Sequence, residues 1–255
     1  MNYIINPDLL PEIPPQEENA SFSDCIETIY YTLTDAISQN IVRETTVTIA
    51  ASGDVQTYPI TFEGIPEGEY ILTVWGNLPS GNNSPRGELH RNSTESTDIY
   101  VSTRKLQFDS SYQTTKVPLE RTKGKLLLLS YNFPTVIGGI KLNIDQIYQS
   151  ADEELRYTGI ASVEKFSPFQ SSVPTLLAPS PEGSTSILKL DYYTNDTGNG
   201  EPFLDVPPIY FTMYRNEISA VKVDYNIAQE AYEVYIYIQN EWTLIHQMTI
   251  EEIEE

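Results

Sequence analysis

Apolar and polar residues alternate along most of the chain, and a period of two is the pattern of β-strands that bury one face. In residues 44–52, for example, Val47 and Ile49 alternate with threonines. Residues 69–77 are apolar at successive positions, which favours a strand near the centre of its sheet. The pattern predicts strands at residues 26–34, 44–52, 55–62, 69–77, 97–103, 114–120, 125–133, 140–148, 155–159, 184–193, 207–215, 218–226, 230–239 and 241–248.

The segments between these strands have the composition of turns and loops. Residues 78–96 form a long polar connection, and residues 160–183 are rich in Ser and Pro without a clear period. Only residues 151–157 have a helical pattern, of one or two turns. Strands spaced by about 8–12 residues, with turn signals between them, are typical of β-sandwiches.

We therefore predict an all-β protein with two tandem β-sandwich domains, since 255 residues are enough for one or two domains. Residues 1–24 contain four prolines and no Lys or Arg, which is typical of an extended leader. The domains are expected at residues 25–120 and 121–255. The boundary is placed at residues 121–124 because a strongly apolar strand follows directly.

Acidic residues dominate the charge, and the formal net charge is −21 at pH 7. Nucleic-acid binding is disfavoured, because it requires Lys and Arg to displace the counterions of the phosphates. Anionic membrane surfaces are disfavoured for the same reason. Solubility is the ordinary consequence of such a charge.

The single cysteine, Cys25, can form neither an internal disulfide nor a cysteine-based zinc site. No stretch approaches the roughly 18 apolar residues of a membrane-spanning helix. The first residues lack the basic and apolar regions of a signal peptide. If the protein is secreted, we expect a leader that is removed before residue 1 of this numbering.

Catalytic motifs are missing from the sequence, so we predict that the chain is not an enzyme and needs no cofactor. His90 is expected to be a surface loop residue, and His246 an ordinary strand residue. Residues 195–201 (NDTGNGE) offer oxygen ligands that suit Ca²⁺. They are also typical turn residues, and we favour a hairpin turn without a metal.

The exposed aromatic residues allow a second hypothesis, in which Trp75 and Trp242 stack on sugar rings. The favoured interpretation is that Trp75 packs in the core beside Tyr70 and Leu72.

Two segments of the chain carry recognisable motifs. Residues 65–78 (IPEGEYILTVWGNL) contain a Pro-x-Gly-x-Tyr turn before a strand that ends in Trp-Gly-Asn. Residues 117–133 contain Leu119-Glu120-Arg121, a Leu-x-Arg signature before the second predicted domain. With these motifs, and with Leu89-His90 and Trp242 as further matching elements, the chain resembles the Mfa2/FimB family of fimbrial anchor subunits from Bacteroidetes.

The resemblance implies two transthyretin-like (Greek-key) β-sandwich domains in a structural subunit of a cell-surface fimbria. It implies other fimbrial subunits as partners, and an outer-membrane location through a lipid on an N-terminal cysteine. Cys25 does not follow a lipobox, so we do not assign it as the acylated residue. Anchor, tip and accessory subunits are not separated by these motifs.

Such subunits are expected to join by strand addition, in which an open sheet edge accepts an extended segment of another subunit. Both ends are candidates for this role. Residues 26–34 could form a strand that is retained or displaced, and the terminal segment Tyr232–Met248 could complement a neighbour, with an ordinary closing hairpin as the alternative. The candidate assembly residues are Tyr232, Val234, Tyr235, Ile236, Tyr237, Ile238, Trp242 and Leu244. Related shaft pilins are cut after an arginine, which makes Arg43, between the first two predicted strands, the candidate processing site.

The competing function is a surface glycan-binding or adhesin module. A glycan binder needs a shallow cleft floored by exposed aromatic rings, whereas an assembly subunit needs an open sheet edge with apolar pockets.

Overall fold

The computed structural model describes residues 21–50, 55–79, 87–91, 94–109, 111, 113–238 and 241–249. These residues are almost entirely β-structure. The elements are α1 (Phe22–Cys25), β1 (Thr28–Asp35), β2 (Ile41–Thr48), β3 (Gly68–Gly76), β4 (Gly87–Glu88), a 3-10 helix (Thr94–Ser96), β5 (Tyr100–Phe108), β6 (Glu120–Arg121), β7 (Gly124–Tyr131), β8 (Gly139–Ala151), β9 (Tyr157–Pro168), β10 (Ser172–Leu177), β11 (Ser186–Tyr193), β12 (Leu204–Phe211), β13 (Ile218–Asn226), β14 (Ala231–Ile238) and β15 (Glu241–Thr249).

The chain divides into two compact units. The first contains the described residues up to Thr122 together with Ser150–Thr158. Its main sheet has the strand order β2-β1-β3-β5-β6, with antiparallel pairing throughout. β3 lies at its centre, as residues 69–77 predict. The core on one face contains Ile26, Ile29, Leu33, Ile49, Tyr70, Leu72, Val74, Tyr100 and Leu119.

Asn77 closes the central strand of this sheet and explains the Trp-Gly-Asn ending. Its side-chain amide donates to the carbonyls of Cys25 and Asp98, at 2.8 and 2.9 Å. Its side-chain oxygen accepts from the backbone N–H of Glu27 at 2.8 Å. The preceding Gly76 is crowded, since a Cβ there would lie 3.1 Å from Ile26.

The second unit contains residues 123–149 and the described residues from Gly159 onward. One sheet has the order β10-β7-β13-β14-β15, and the other joins β12, β11, β8 and β9. The main core draws on both sheets, with Leu126 and Leu128 from one and Leu142 and Leu188 from the other. Because side chains of two sheets share one core, this unit is a β-sandwich.

β7 is the most buried strand, because its leucines serve two clusters. Leu126 and Leu128 enter the main core, whereas Leu127 and Leu129 belong to a small cluster on the opposite face. β7 pairs in parallel with β13 and antiparallel with β10. A continuous apolar run is what a strand with two covered faces requires.

Two predicted strands are wrong, and each contains a proline. Residues 55–62 have no regular structure, although Ile60 and Phe62 still pack against the core of the first unit. Of residues 114–120, only Glu120 lies in a strand. Pro59 and Pro118 lack the N–H that a sheet ladder needs.

The predicted helix at residues 151–157 is also wrong, because these residues form a tight turn. Asp152 accepts hydrogen bonds from the backbone N–H groups of Glu154 and Arg156, at 3.0 and 2.9 Å. Leu155 has a φ of 61°. Residues 160–183, in contrast, contain most of β9 and all of β10 despite their irregular pattern.

Candidate functional site: the hairpin of β14 and β15

The candidate assembly residues fall on the terminal hairpin of the second unit. β14 lies between β13 and β15, and β15 is the edge strand of the sheet. The two strands pair antiparallel, with an irregularity between Val234 and Tyr235. The predicted residues therefore lie on one hairpin, whose outer strand has no further strand beside it among the described residues.

The inner face of β14 anchors the hairpin in the core. Tyr232, Val234 and Ile236 point inward and are 3%, 0% and 5% exposed. Burial of such side chains contributes about 1.5–3 kcal/mol each for the aliphatic residues. We therefore expect β14 to remain in place whenever this unit is folded.

The outer face of the hairpin carries aromatic rings around a lysine. Lys222 of β13 places its Nζ 4.6 Å from the ring centre of Tyr235 and 4.7 Å from that of Trp242. Tyr237 meets Trp242 edge-on, with ring centres 5.4 Å apart. Both lysine distances are in the range of cation–π contacts, so Lys222 helps to hold β15 against its neighbours.

Lys222 was not among the predicted site residues, although the sequence carries a signal for it. Lys222 alternates with Val221 and Val223, which places it on the face opposite to the core. The pairing of β13 with β14, which sets Lys222 opposite Tyr235, becomes visible only in the structure.

β15 is more loosely held than β14. Leu244 and Met248 are 44% and 43% exposed. Trp242 packs on the outer cluster and Ile245 on the main core. Ile238, which was also predicted, lies in β14, but its side chain is outside the described part of the structure.

Two tyrosines of the hairpin have perturbed acidities. The hydroxyl of Tyr235 donates to Glu233, and this bond, together with burial, raises the pKa of Tyr235 to about 12. Burial and, to a lesser degree, Asp205 raise the pKa of Tyr232. Both rings therefore stay neutral at physiological pH.

Arg43 is not between the first two strands, as predicted, but within β2, opposite Leu33. Its side chain is exposed, and the guanidinium donates to the carbonyl of Glu63 at 3.4 Å. A protease prefers an exposed, flexible segment to a paired strand. The role of Arg43 in processing stays a prediction.

The environment of His90 differs from the predicted one, whereas His246 lies in a strand as predicted. His90 was expected at the surface, but its side chain is only 5% exposed and lies 3.5 Å from Glu95. The expectation failed because Glu95, in the same polar segment, is itself buried. His246 lies in β15, as predicted, with Nε2 3.4 Å from the carbonyl of Pro208.

Residues 195–201 form a compact turn organised by Asn195. Its side-chain oxygen accepts from the backbone N–H groups of Thr197 and Gly198, at 3.0 and 2.8 Å. Gly198 has a φ of 67°, and a Cβ there would lie 2.7 Å from Phe166. Within the described residues, no three His, Cys, Asp or Glu side chains cluster to hold a metal ion.

Trp75 cannot serve as an exposed platform for sugar rings, because it is 4% exposed. It also does not pack beside Tyr70 and Leu72, as predicted, because it points to the opposite face of β3. There it packs so closely on Gly87 that a Cβ at that glycine would lie 2.6 Å from the indole.

A carboxylate pair on the other sheet gives a testable pH dependence. Asp191 of β11 lies opposite Asp205 of β12, and burial, followed by the charge of Asp205, raises the pKa of Asp191. A carboxyl group whose pKa is higher in the folded than in the unfolded state stabilises the fold at low pH, and this stabilisation is lost as the pH rises through the folded pKa. Replacement of Asp191 by a residue that cannot ionise should therefore raise the free energy of unfolding at neutral pH.

We expect Asp191→Asn to be more stable than the wild type at pH 7, by less than about 1 kcal/mol because the pair is partly solvated. The difference should vanish at about pH 3, where Asp191 is protonated in both the folded and the unfolded protein. Urea unfolding at both pH values measures it. Asp196→Asn, in an exposed turn, removes one negative charge from the same unit and is the control. A wild type that is the more stable protein at pH 7 would contradict the prediction.

In the part of the chain that the structure describes, no helix is long and apolar enough to cross a membrane.

No protein-family model matches the chain, and no match is found among curated protein sequences. Solved structures do match in fold. A candidate adhesin from Bacteroides thetaiotaomicron has a TM-score of 0.55 at 11% identity, over 88% of this chain and 92% of that one. A candidate adhesin from Bacteroides ovatus has a TM-score of 0.53 at 11% identity, over 88% and 89%.

The fimbrial anchor protein Mfa2 from Porphyromonas gingivalis matches with a TM-score of 0.50 at 14% identity, over 90% of this chain and 94% of that one. At these identities the likeness concerns the fold. The resemblance of residues 65–78 and 117–133 is thus confirmed at the level of fold: the chain has the all-β fold shared by these candidate adhesins and the fimbrial anchor protein.

Proposed function

We propose that this protein is a structural subunit of a bacterial cell-surface fimbria that joins other subunits through strand addition. The observation that carries the proposal is the fold likeness to Mfa2 over 90% of the chain. Two sequence segments support it independently of the fold. They are the Trp-Gly-Asn strand ending, which Asn77 explains through its hydrogen bonds, and the Leu-x-Arg signature.

The terminal hairpin is the proposed assembly segment, with β15 as the strand that meets a partner. β15 is an edge strand, and edge strands present backbone groups to which another chain can pair. β14 is anchored by its buried inner face, whereas β15 exposes Leu244 and Met248. A partner strand could therefore pair with β15 without disturbing the core. To replace β15 on β14, it would have to supply an apolar side chain in place of Ile245, which packs on the main core.

The proposed location is the cell surface, either in fimbriae or at the outer membrane through an N-terminal lipid. The domains are proposed at residues 25–120 and 121–255, each with a transthyretin-like topology. We propose a non-enzymatic role, with other fimbrial subunits as the partners. The acidic charge supports surface exposure, and nucleic acid is not among the proposed partners.

The test is photo-crosslinking in living cells that carry a photoreactive residue at Leu244. We expect crosslinks to other fimbrial subunits in the membrane fraction. Tyr210 is the matched control, because it is 62% exposed on β12, another edge strand of the same unit. Crosslinks from neither position, with the protein recovered free and soluble, would overturn the fimbrial role. Equal crosslinks from both positions would overturn the role of the hairpin.

The alternative, a surface glycan-binding or adhesin module, fits the candidate adhesins among the structural neighbours, but no better than the fimbrial role does. The two tryptophans do not support an aromatic platform for sugar rings. Trp75 is buried, and Trp242 is engaged with Lys222 and Tyr237 on the outer face of the sheet.

A further inference from the structure

A second open edge lies in the first unit, at β2. β2 is the outermost strand of the sheet and pairs only with β1 among the described residues. Of its eight residues, seven are exposed and only Val47 is partly buried. Ile37, at the tip of the β1–β2 hairpin, is 89% exposed, and Ile41 is 57% exposed. Apart from Val47, which packs against the core of the first unit, the side chains of this edge are in solvent, and the edge is available to another chain.

The backbone of β2 presents a regular row of hydrogen-bonding groups to the outside. Ile49 donates its N–H to the carbonyl of Glu27 at 2.7 Å, on the β1 side. Backbone groups alternate along an antiparallel strand, so those of Val47, Thr45 and Arg43 also face β1. The N–H groups of Glu44, Thr46 and Thr48 therefore point away from the sheet.

β2 lacks the residues that usually protect a sheet edge. Lysine and proline on an edge strand discourage pairing with another chain. β12 contains Pro207 and Pro208, and β10 contains Pro174. On the other side of the first unit's sheet, Lys105 lies on β5 beyond the two residues that pair with β6. The sequence IVRETTVT of β2 contains neither lysine nor proline.

The charge around β2 indicates what kind of strand would pair with it. Arg43 is the one basic residue of residues 28–48, and its guanidinium already donates to the Glu63 carbonyl. Glu27, Glu44 and Glu63 are exposed nearby. A second copy of this chain would bring another net charge of −21, which opposes association.

We propose that the β2 edge binds an extended segment of a partner protein in which lysine or arginine alternates with β-branched residues. The proposal deepens the proposed function and rests on it for the kind of partner, another surface subunit. Main-chain hydrogen bonds to Glu44, Thr46 and Thr48 supply the pairing, and the surrounding carboxylates select the basic residues.

The experiment uses the full chain and a synthetic peptide that alternates Val with Lys and Thr over the eight residues of β2. Amide hydrogen exchange by NMR reports the site. At saturating peptide, we expect exchange at Glu44, Thr46 and Thr48 to slow by about tenfold or more, with little change at Thr45 and Val47, which already face β1. A peptide with Glu in place of Lys should bind at least about tenfold more weakly.

Thr46→Pro is the decisive variant. It removes an N–H that makes no bond to β1, so the hairpin should persist while peptide binding is lost. Thr46→Val keeps the N–H and is the matched control that should bind like the wild type. Thr46→Lys, which places a charge on the edge, gives a second variant if the proline disturbs the fold.

Several results would overturn the proposal. One is peptide binding that protects amides elsewhere, and another is undiminished binding to both Thr46→Pro and Thr46→Lys. Equal affinity for the Glu peptide would reject a basic partner. A dimer in sedimentation that Thr46→Pro dissociates would identify a second copy as the occupant. The Leu244 crosslinks test another strand in the other unit, so the two proposals can fail separately.

Discussion

Replacement of Arg121 by alanine is expected to lower the free energy of unfolding of the first unit by about 3–5 kcal/mol. The Arg121 guanidinium donates through Nε to Asp98 at 2.8 Å, and the two side chains are 6% and 14% exposed. The guanidinium also lies 5.5 Å from the ring centre of Tyr100. Without Arg121, the Asp98 carboxylate loses this guanidinium and stays in a largely dry site.

The chain provides its own reporter for this measurement. Its two tryptophans lie in different units, since Trp75 is in β3 and Trp242 is in β15. In a Trp242→Phe background, the fluorescence of the buried Trp75 should follow urea unfolding of the first unit alone.

An exposed ion pair of the same sheet is the control for Arg121. Lys105 lies 2.6 Å from Glu69, and the two side chains are 63% and 48% exposed. Surface pairs contribute about 0–1 kcal/mol, so Lys105→Ala should have little effect. Equal losses for Arg121→Ala and Lys105→Ala would show that burial of the pair does not determine its contribution.

The strand pattern could be predicted from sequence wherever the buried face follows simple alternation. β11 and β14 are such strands, with alternate residues in the core. The prediction failed where a local feature prevents strand formation. Pro59 is an example, because it has no backbone N–H to donate to a neighbouring strand. The prediction also failed for Asp152, whose side chain organises a turn in a segment with a helical pattern.

The candidate site could be predicted only as a segment. The segment Tyr232–Met248 was identifiable because apolar and polar residues alternate through the last two predicted strands. The roles of these residues differ because of contacts with side chains of neighbouring strands. Such contacts depend on the pairing register, which the sequence of a single strand does not reveal. Lys222 between Tyr235 and Trp242 is one such contact, and the outward row of N–H groups on β2 is another.

The segment Arg-Thr-Lys-Gly at residues 121–124 shows the same limit. Its composition is polar, and Arg121, Thr122 and Lys123 are nevertheless 6%, 0% and 0% exposed. Arg121 is buried because Asp98 lies beside it, and Asp98 is 23 residues away in the sequence. Polar residues are buried where partners exist, and the partners are supplied by the fold.

Gly124→Ala is expected to destabilise the second unit by about 3 kcal/mol or more, near the upper end for overpacking. A Cβ at Gly124 would lie 2.1 Å from the Tyr214 carbonyl and 3.1 Å from the Glu217 carbonyl. Both atoms belong to the backbone, so no side-chain rotation relieves the contact. Lys125 donates to that same Glu217 carbonyl at 2.9 Å, so the methyl group would separate β7 from the beginning of β13.

Gly183→Ala is the control that separates this steric clash from the backbone penalty of replacing a glycine by alanine. Gly183 has a φ of 72°, but a Cβ there would meet nothing within 4 Å, so its cost should be the left-handed backbone penalty of about 1–2 kcal/mol. Trp242 fluorescence in a Trp75→Phe background follows urea unfolding of the second unit. A Gly124→Ala loss no greater than that of Gly183→Ala would mean that β7 and the Tyr214–Glu217 backbone can move apart without breaking their pairing. Because β7 carries leucines of both clusters, we expect instead that this one methyl group weakens the core and the outer face together.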